Sequence, residues 1–350
     1  MKLFNILFTL FGVVTVIFFL FQILPGDPAR MMMDQNEDVE QLEIIKKKYG
    51  FDEPILKQYL YYLNDLSVIS IHSKNPEKIN FIRENKYSFT KIFDFDNSTL
   101  VLKFPYLRES YQRRGVKVST IIMDTFPNTV VLAISSILFA TVFGLLLGIL
   151  SALYKETLFD NSIQLFSTFG MSMPSFLSSI IFAWIFGFVL ADITGLNMTG
   201  SLFELDDFGE EYRLELKNLI LPSIVLGIRP IAVISMMMRN SLIETLKKNY
   251  VITAYAKGLS KSKVILNHCL KNSLNPVITA LSGWFASLLA GSVFVEYIFG
   301  WNGLGREIVN SLNLLDVPVI IGAVIVVSFS FIMINIFVDY IYKFLDPRIS

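Results

Sequence analysis

The chain has 350 residues, of which 53% are hydrophobic and 17% are charged, with a mean hydropathy of +0.55 and no formal net charge. A soluble domain typically carries about 25% charged residues, so this density of apolar side chains requires a second apolar solvent, the lipid bilayer. Zero net charge excludes recruitment of nucleic acid by bulk positive charge. The single cysteine, Cys269, excludes a disulfide framework or a CxxC metal or redox site within the chain.

Six apolar stretches are long enough to cross a bilayer, since a hydrocarbon core about 30 Å thick needs about 20 mostly apolar helical residues. The sequence therefore predicts an all-α integral membrane protein with about six transmembrane helices. The first stretch is longer than the apolar region of a signal peptide, and no clear A-x-A cleavage site follows it, so we expect it to be retained. The predicted spans are Leu3–Leu24, Phe126–Tyr154, Ile163–Leu190, Leu219–Met238, Val277–Phe299 and Val317–Tyr342.

Lysines and arginines in short loops predict the orientation, because such loops stay in the cytoplasm. The loop after the fourth span is rich in lysine and has one acidic residue, Glu244, whereas the loop from Ala191 to Leu216 is acidic. We therefore expect both termini and the Lys-rich loop in the cytoplasm, and the acidic loop and the long segment 25–119 outside. The lysines of the first loop are Lys247, Lys248, Lys257, Lys261, Lys263 and Lys271.

The segment 25–119 between the first two spans contains two apolar patterns with helical spacing. One runs from Val39 to Ile45, and the other follows Pro54. Such amphipathic helices could lie on the bilayer, cover the mouth of a pore or pack against the protein's own outer face. Residues 72–102 predict a more irregular insert without an assigned role. The chain is thus divided into a first transmembrane helix (1–24), an external segment (25–119) and a core of five helices (120–350).

Residue patterns of enzymes are missing from the chain. The two histidines, His72 and His268, fall on opposite sides of the membrane in this topology, and no HExxH, GxSxG or GxxxxGK[ST] motif occurs. The chain is therefore not expected to hydrolyse ATP by itself. Five of the six spans have no charge at their centre, and the exception is Arg229, followed by Pro230. Such an arginine either lines a hydrated pathway or makes a structural contact at a subunit interface.

The Lys-rich loop 240–276 predicts two helices separated by a glycine turn. Apolar residues recur at helical spacing up to Lys257, Gly258 ends this helix, and Ser260 is placed to cap a second one. An ordered projection of this kind suits docking into a cleft of another protein, with binding to anionic lipid as the alternative. The apolar residues are Leu242, Leu246, Val251 and Ala254 in the first helix, and Val264, Ile265, Leu266, Cys269, Leu270 and Leu274 in the second.

The string YVITAYAKGLSKSKVILNHCLKNSLNP, from Tyr250 to Pro276, resembles the EAA loop of binding-protein-dependent ABC importer permeases, and more narrowly that of the peptide-importer branch. The glutamate of the motif would fall at Ile252, so that acid is absent. Further similar blocks follow in order at 23–30, 49–63, 170–176, 294–320 and 346–348, whereas 72–102 and 197–215 depart from the pattern. The resemblance assigns ATPase coupling to Tyr250, Thr253, Ala254, Ala256, Lys257, Gly258 and Leu259.

The resemblance implies a type I ABC importer permease fold and the first, B-type, subunit of the dipeptide/oligopeptide (nickel) permease family. It implies a second homologous permease, two cytoplasmic ABC ATPases and an external solute-binding protein as partners, in the bacterial inner membrane. The resemblance implies no cofactor or metal in the chain itself. ATP would be bound by the partner subunits. Di- or oligopeptides are the expected substrate, with nickel or another small solute as the alternative. A self-contained secondary transporter, or a membrane-anchored receptor or scaffold, are the remaining hypotheses.

Overall fold

The computed structural model describes residues 2–23, 27–33, 39–76, 78–82, 88–206 and 209–345. The predicted block 346–348 lies outside the described residues, as do three residues of the block 23–30. The helices are α1 Lys2–Ile23, α2 Pro28–Met31, α3 Val39–Tyr49, α4 Ile55–Leu66, α5 Val118–Leu153, α6 Leu158–Ser172, α7 Ser175–Trp184, α8 Ala191–Thr194, α9 Lys217–Leu246, α10 Asn249–Ala256, α11 Lys261–Val264, α12 Leu270–Ser273, α13 Asn275–Gly291, α14 Val293–Phe299, α15 Leu304–Asn313 and α16 Val317–Leu345. The strands are β1 Ile69–Ser73, β2 Phe89–Asp94, β3 Ser98–Lys103, β4 Phe203–Leu205 and β5 Tyr212–Leu214.

The helical fold class is confirmed. By length and composition α5, α9 and α16 can each cross a membrane, and two bent helix pairs raise the number of possible spans to five. One bent pair joins α6 to α7 with its π-helical extension Ile185–Val189, and the other joins 261–273 to α13. The first helix, α1, is apolar along Ile6–Gln22. All six predicted apolar stretches are therefore helical over most of their length.

The third predicted span, Ile163–Leu190, is not one straight helix. Its two halves, α6 and α7, are bent by 110° at Met173 and Pro174. Proline has no backbone N–H to donate and disfavours helical geometry in the residue before it, and Met173 accordingly adopts an extended conformation with ψ 130°. The proline signal was present in the sequence, but the continuous apolar composition concealed the break.

One compact unit comprises residues 1–124 and 308–328. Val14 and Phe18 of α1 pack with Tyr59 and Tyr62 of α4 and with Ile321 of α16, and the hydroxyls of Thr15 and Tyr59 lie 2.6 Å apart. The predicted helices after Val39 and Pro54 are therefore present as α3 and α4. The boundary at 119/120 does not coincide with the edge of this unit, because part of α15 and the first turns of α16 belong to it.

Strands β1, β3 and β2 form a three-stranded antiparallel sheet in that order within the same unit. The described part of 72–102 therefore contains regular strands, which corrects the expectation of an irregular insert. The sheet has an unusual polarity, because Ser70, His72 and Thr99 on its inner side are buried whereas Ile69 and Ile71 on the other side are exposed. Apolar alternation along a strand normally marks the buried side. The polar inner side therefore hid these strands from a reading of hydrophobic pattern.

The second compact unit comprises residues 125–307 and 329–350, and α9 lies at its centre. Two glycines of α5 allow α5 and α9 to pack closely: a Cβ added at Gly148 would lie 2.6 Å from the carbonyl oxygen of Ser235, and one at Gly144 would meet Ile234. The acidic loop forms a small hairpin, β4–β5, which the residue pattern did not predict. The buried side chains group into two clusters, one around Leu132, Val225, Leu288, Phe299 and Trp301, and one around Ile234, Met238, Val251, Val264 and Val277.

Candidate functional site

The Lys-rich loop folds as two short helical segments around a glycine. Helix α9 ends at Leu246, Lys248 is extended, and α10 then runs from Asn249 to Ala256. The first predicted helix of the loop is thus interrupted at Lys247 and Lys248, whereas the glycine turn and the second helical segment, Lys261–Ser273, are present. Helix α10 is therefore a separate helix that follows the end of α9.

Gly258 makes the turn between the two segments. Its φ is +79°, in the left-handed region where a Cβ is unfavourable, so glycine is required at this C′ position. The Gly258 N–H donates to Tyr255 O at 2.9 Å, and the Leu259 N–H donates to Ala254 O at 3.4 Å, which closes the end of α10. Ser260 occupies the predicted N-cap position with extended geometry, but its side chain makes no capping hydrogen bond.

The inner side of the loop packs on α9. Val251, Ala254 and Val264 are buried in the cluster that also contains Met238 and Leu242 of α9, so the predicted apolar stripe of α10 is buried. Leu266 differs from the prediction, because 63% of it is exposed. Residues Ile265–Cys269 form a π-helical turn, which inserts one residue per turn and rotates the side chains that follow.

The outer side of the loop is a mixed aromatic and cationic surface, which we call the coupling surface. Ile252 is 58% exposed, and Tyr250 and Tyr255 are each 40% exposed. The Tyr250 hydroxyl accepts a hydrogen bond of 2.9 Å from the Asn272 side chain, which fixes the tyrosine against the second helical segment. The coupling surface consists of Tyr250, Ile252, Thr253, Tyr255, Ala256, Lys257 and Gly258, with Lys261, Lys263 and Lys271 at its edge.

The predicted coupling residues divide between the two sides of the loop. Ala254 is buried and Leu259 is half-buried, so neither belongs to the coupling surface, whereas the other five predicted residues are exposed. Ile252 and Tyr255 were not predicted, although both lie inside the recognised string. For Ile252 the signal was the helical spacing itself, since this residue lies more than 90° around the helix from both Val251 and Ala254. Tyr255 is one helical turn from the buried Val251, so spacing gave no signal for its exposure.

An ion pair fixes the end of α9 from which α10 projects. Arg239 donates from Nε to Asp160 Oδ1 at 2.7 Å and from Nη2 to Oδ2 at 2.6 Å, a bidentate geometry. The Asp160 side chain is 1% exposed and also accepts hydrogen bonds from the Ser151 hydroxyl and the Glu156 N–H. Neither partner stands out in the sequence, because each lies at the polar end of an apolar stretch. The pair connects α6, the end of α5 and α9.

Arg229 lies alone in the middle of α9. Its side chain is exposed, whereas every other residue from Leu221 to Met238 is buried or half-buried. Within the described part of the chain, no hydrogen bond or ion pair involves the side chain of Arg229. No group of three or more His, Cys, Asp or Glu side chains among the described residues could hold a metal ion. The arginine is therefore a solitary cation facing away from its own helical bundle.

Family models match most of the chain. Residues 144–350 match the model described as binding-protein-dependent transport system inner membrane component, and residues 1–80 match the model of the N-terminal part of such components. The matched core contains the coupling surface, Arg229 and the Asp160–Arg239 pair.

Curated relatives extend over nearly the whole chain. The di/tripeptide transport system permease protein DppB of Pseudomonas aeruginosa (strain UCBPP-PA14) is 32% identical over 357 residues, covering 97% of this chain and 95% of the relative. The glutathione transport system permease protein GsiC of Escherichia coli (strain K12) is 30% identical, covering 99% and 97%. The probable D,D-dipeptide permease protein DdpB of the same organism is 28% identical, covering 97% and 93%.

A solved structure shows the same fold. A chain of the MetNI methionine ABC transporter in an inward-facing conformation superposes with a TM-score of 0.53 at 15% sequence identity. The superposition covers 65% of this chain and 97% of that chain. The remaining third of this chain is therefore additional to the shared permease fold.

Proposed function

Because this chain belongs to the family of inner-membrane components of binding-protein-dependent transport systems, we propose that it is a permease subunit that imports di- or oligopeptides. The energy would come from ATP hydrolysed by partner subunits, since the chain has no phosphate-binding loop of its own. The names of the similar proteins, which specify dipeptides, di/tripeptides and glutathione, support a peptide as the substrate.

The coupling surface supports docking to a cytoplasmic ATPase, and it is the observation that carries the proposal. Exposed aromatic and aliphatic side chains in a compact, rigid patch are typical of the buried centre of a protein–protein interface. Ile252 and Tyr255 lie on the same exposed side of α10 and would form such a centre, and the surrounding lysines would face acidic groups on the rim of the ATPase cleft. An ordered glycine turn keeps these side chains in one arrangement and lowers the entropy lost on binding.

The packing of α10 would transmit ATPase movement to the membrane. Val251 and Ala254 are buried against α9, so a displacement of α10 moves the end of α9 as well. The Asp160–Arg239 pair connects that end of α9 to α6. Movement of the loop would therefore change the arrangement of the spans, and two arrangements that differ by a few kcal/mol are enough for nucleotide to shift the balance.

The proposed complex has two permeases, two ABC ATPases below the membrane and a solute-binding protein above it. The Lys-rich loop and both termini would lie in the cytoplasm, and the acidic hairpin β4–β5 would lie outside, in accordance with the charge asymmetry of short loops. Arg229 would line the translocation pathway, since an unpaired cation at mid-membrane depth requires water or an anion beside it.

Co-purification tests the coupling surface. The detergent-solubilised wild-type chain is expected to bring down a second permease and two ATPases, whereas Gly258→Glu should reduce ATPase recovery by about tenfold or more, the effect of removing an interface hot spot. Gly115→Glu is the matched control, because Gly115 also has a positive φ, +77°, with nothing within 4 Å of its Cβ position. A wild-type chain that purifies alone and transports peptide without ATP would contradict the proposal.

A further inference from the structure

Arg229 lies at the middle of the membrane-spanning part of α9. It follows Lys217, the first residue of α9, by twelve residues and precedes Arg239 by ten, which places it about 18 Å and 15 Å from these residues along the helix axis. Arg239 is neutralised by Asp160, whereas Arg229 is exposed without such a partner in the described part of the chain. A guanidinium at this depth is unfavourable unless water or an anion accompanies it. None of the described residues supplies that partner.

Helix α6 packs beside the part of α9 that carries Arg229, and it ends at the break before α7. Helix α6 runs antiparallel to α9, because the hydroxyls of Ser167 and Ser235 lie 3.0 Å apart and Gly170 packs against Ile228. Because the two helices are antiparallel, Arg229 is level with the residue before Gly170, and the bend at Met173 and Pro174 lies about one helical turn from that level, towards the Lys217 end of α9.

The bend is not covered by the rest of this unit. Met171 is 43% exposed, and Ser172 and Pro174 are exposed as well. Non-helical backbone at membrane depth is tolerated where it is buried in protein or lines a hydrated cavity. Helix α7 begins at this point without a side-chain cap, so its first N–H groups and its partly positive end also favour an anion here. Transporters commonly hold an anionic group of their substrate in mid-membrane at the N-terminal end of a discontinuous helix.

Resting on the peptide-import function above, we propose that Arg229 binds the α-carboxylate of the peptide during its passage through the membrane. The planar guanidinium matches a carboxylate with two parallel hydrogen bonds, and every linear peptide with a free C-terminus carries this group whatever its side chains. A site that recognises only the C-terminal carboxylate suits a pathway that accepts peptides of different sequence. Exposure of Arg229 to solvent keeps the interaction weak enough for release.

Transport by the complete complex in liposomes tests the proposal with two substrates, a tripeptide with a free carboxylate and its C-terminal amide. In Arg229→Gln, transport of the free peptide should fall by about tenfold, as expected for the loss of a charged hydrogen bond, with little change for the amide. Arg229→Lys should restore part of the difference. Lys217→Gln, which removes an exposed cation from the same helix, should leave both rates unchanged.

The ratio between variant and wild type is taken for each peptide separately, so a preference of the binding protein for one peptide cancels. An equal loss for both peptides in Arg229→Gln would overturn the proposal and indicate a structural role at the interface with the second permease. A wild-type complex that transports neither peptide, although it binds ATPases and hydrolyses ATP, would instead contradict peptide import itself.

Accessibility of the position to water gives an independent measurement. Cys269 is the single cysteine and is buried, so Arg229→Cys in a Cys269→Ala background places one reactive thiol at the site. A charged methanethiosulfonate reagent should modify this thiol, and ATP with peptide-loaded binding protein should slow the reaction. A thiol that stays unmodified with and without nucleotide, while Lys217→Cys in the same background reacts, would overturn the proposal. Recovery of the ATPases with the variant verifies that it is assembled.

Discussion

Two arginines of α9, ten residues apart, have opposite surroundings. The side chain of Arg239 is only 15% exposed and makes two short hydrogen bonds to Asp160, whereas that of Arg229 is exposed and has no such partner in the described residues. Burying an ion pair removes both charges from water, so the pair is stable only while both members are present. Arg239 is therefore a structural residue, and the isolated Arg229 is the one available to a ligand.

Removing one member of the buried pair should be strongly destabilising. Arg239→Met leaves the Asp160 carboxylate buried without its cation, and we expect a loss of about 3–5 kcal/mol in the free energy of unfolding. The measurement is thermal unfolding in detergent, followed by the recovery of monodisperse protein. The control is Arg213→Met, which removes an exposed arginine 3.7 Å from Asp206 and should change stability by about 1 kcal/mol or less.

A double variant separates the ion pair from the packing of the arginine stem. Asp160→Asn combined with Arg239→Met should recover much of the lost stability, because no unpaired charge is left behind. Equal melting temperatures for Arg239→Met and Arg213→Met would show that the pair contributes little.

At the scale of elements, the apolar helices could be predicted and the insert sheet could not. Long apolar runs have one favourable solution in a bilayer, the helix, so the spans follow directly from composition. Strands β1 and β3 place Ser70, His72 and Lys103 on the buried side, where burial depends on hydrogen-bond partners that are distant in the chain. Lys103, for example, donates to the backbone carbonyl of Asp65. Such pairing leaves no periodic signal.

The insert sheet should lose stability in weak acid. His72 Nε2 lies 3.0 Å from the Ser70 hydroxyl and Nδ1 lies 3.1 Å from Asn80 O. Burial, with a smaller contribution from the positive charge of Lys103, lowers the pKa of His72 below its ordinary 6.5, although the hydrogen bond to Asn80 and the charge of Asp65 oppose the shift. The unfolded histidine therefore takes up a proton first. The stabilisation is complete above pH 6.5 and decreases as the pH falls below that value.

Hydrogen exchange of the β1 amides at pH 7.5 and 5.5 measures this effect, after correction for the intrinsic pH dependence of exchange. We expect less protection at the lower pH in wild type and a smaller difference in His72→Gln, which has no titratable group. His268→Gln, which changes the other histidine in the other compact unit, should behave like wild type. A pH dependence that persists in His72→Gln would assign the effect to another group.

At the scale of the whole molecule, the loop was predictable and the surroundings of Arg229 were not. Loop residues Tyr250 to Leu259 are contiguous in the chain, so helix spacing and the resemblance identify them without tertiary information. The exposure of Arg229 depends on which sides of α9 are covered by α5, α6, α7 and α13, and on the bend at Pro174. Composition alone left two roles open for this arginine, and helix packing shows that either role involves groups outside its own helical bundle.

The two sides of α10 imply that ATPase binding and ATPase coupling can be separated. Ala254 is 5% exposed and packs against α9, whereas Ala256, two residues later on the same helix, is exposed. Ala254→Leu adds volume to a filled contact, and such overpacking typically lowers the free energy of unfolding by about 1–3 kcal/mol. The substitution should change the packing of α10 on α9 while the coupling surface remains intact. We expect ATPases to co-purify and hydrolyse ATP, with fewer peptides imported per ATP. Asn267→Leu is the control, because it introduces leucine at an exposed position of the same loop outside the coupling surface, and an equal transport-to-hydrolysis ratio in the two variants would show that the α9 contact does not carry the coupling.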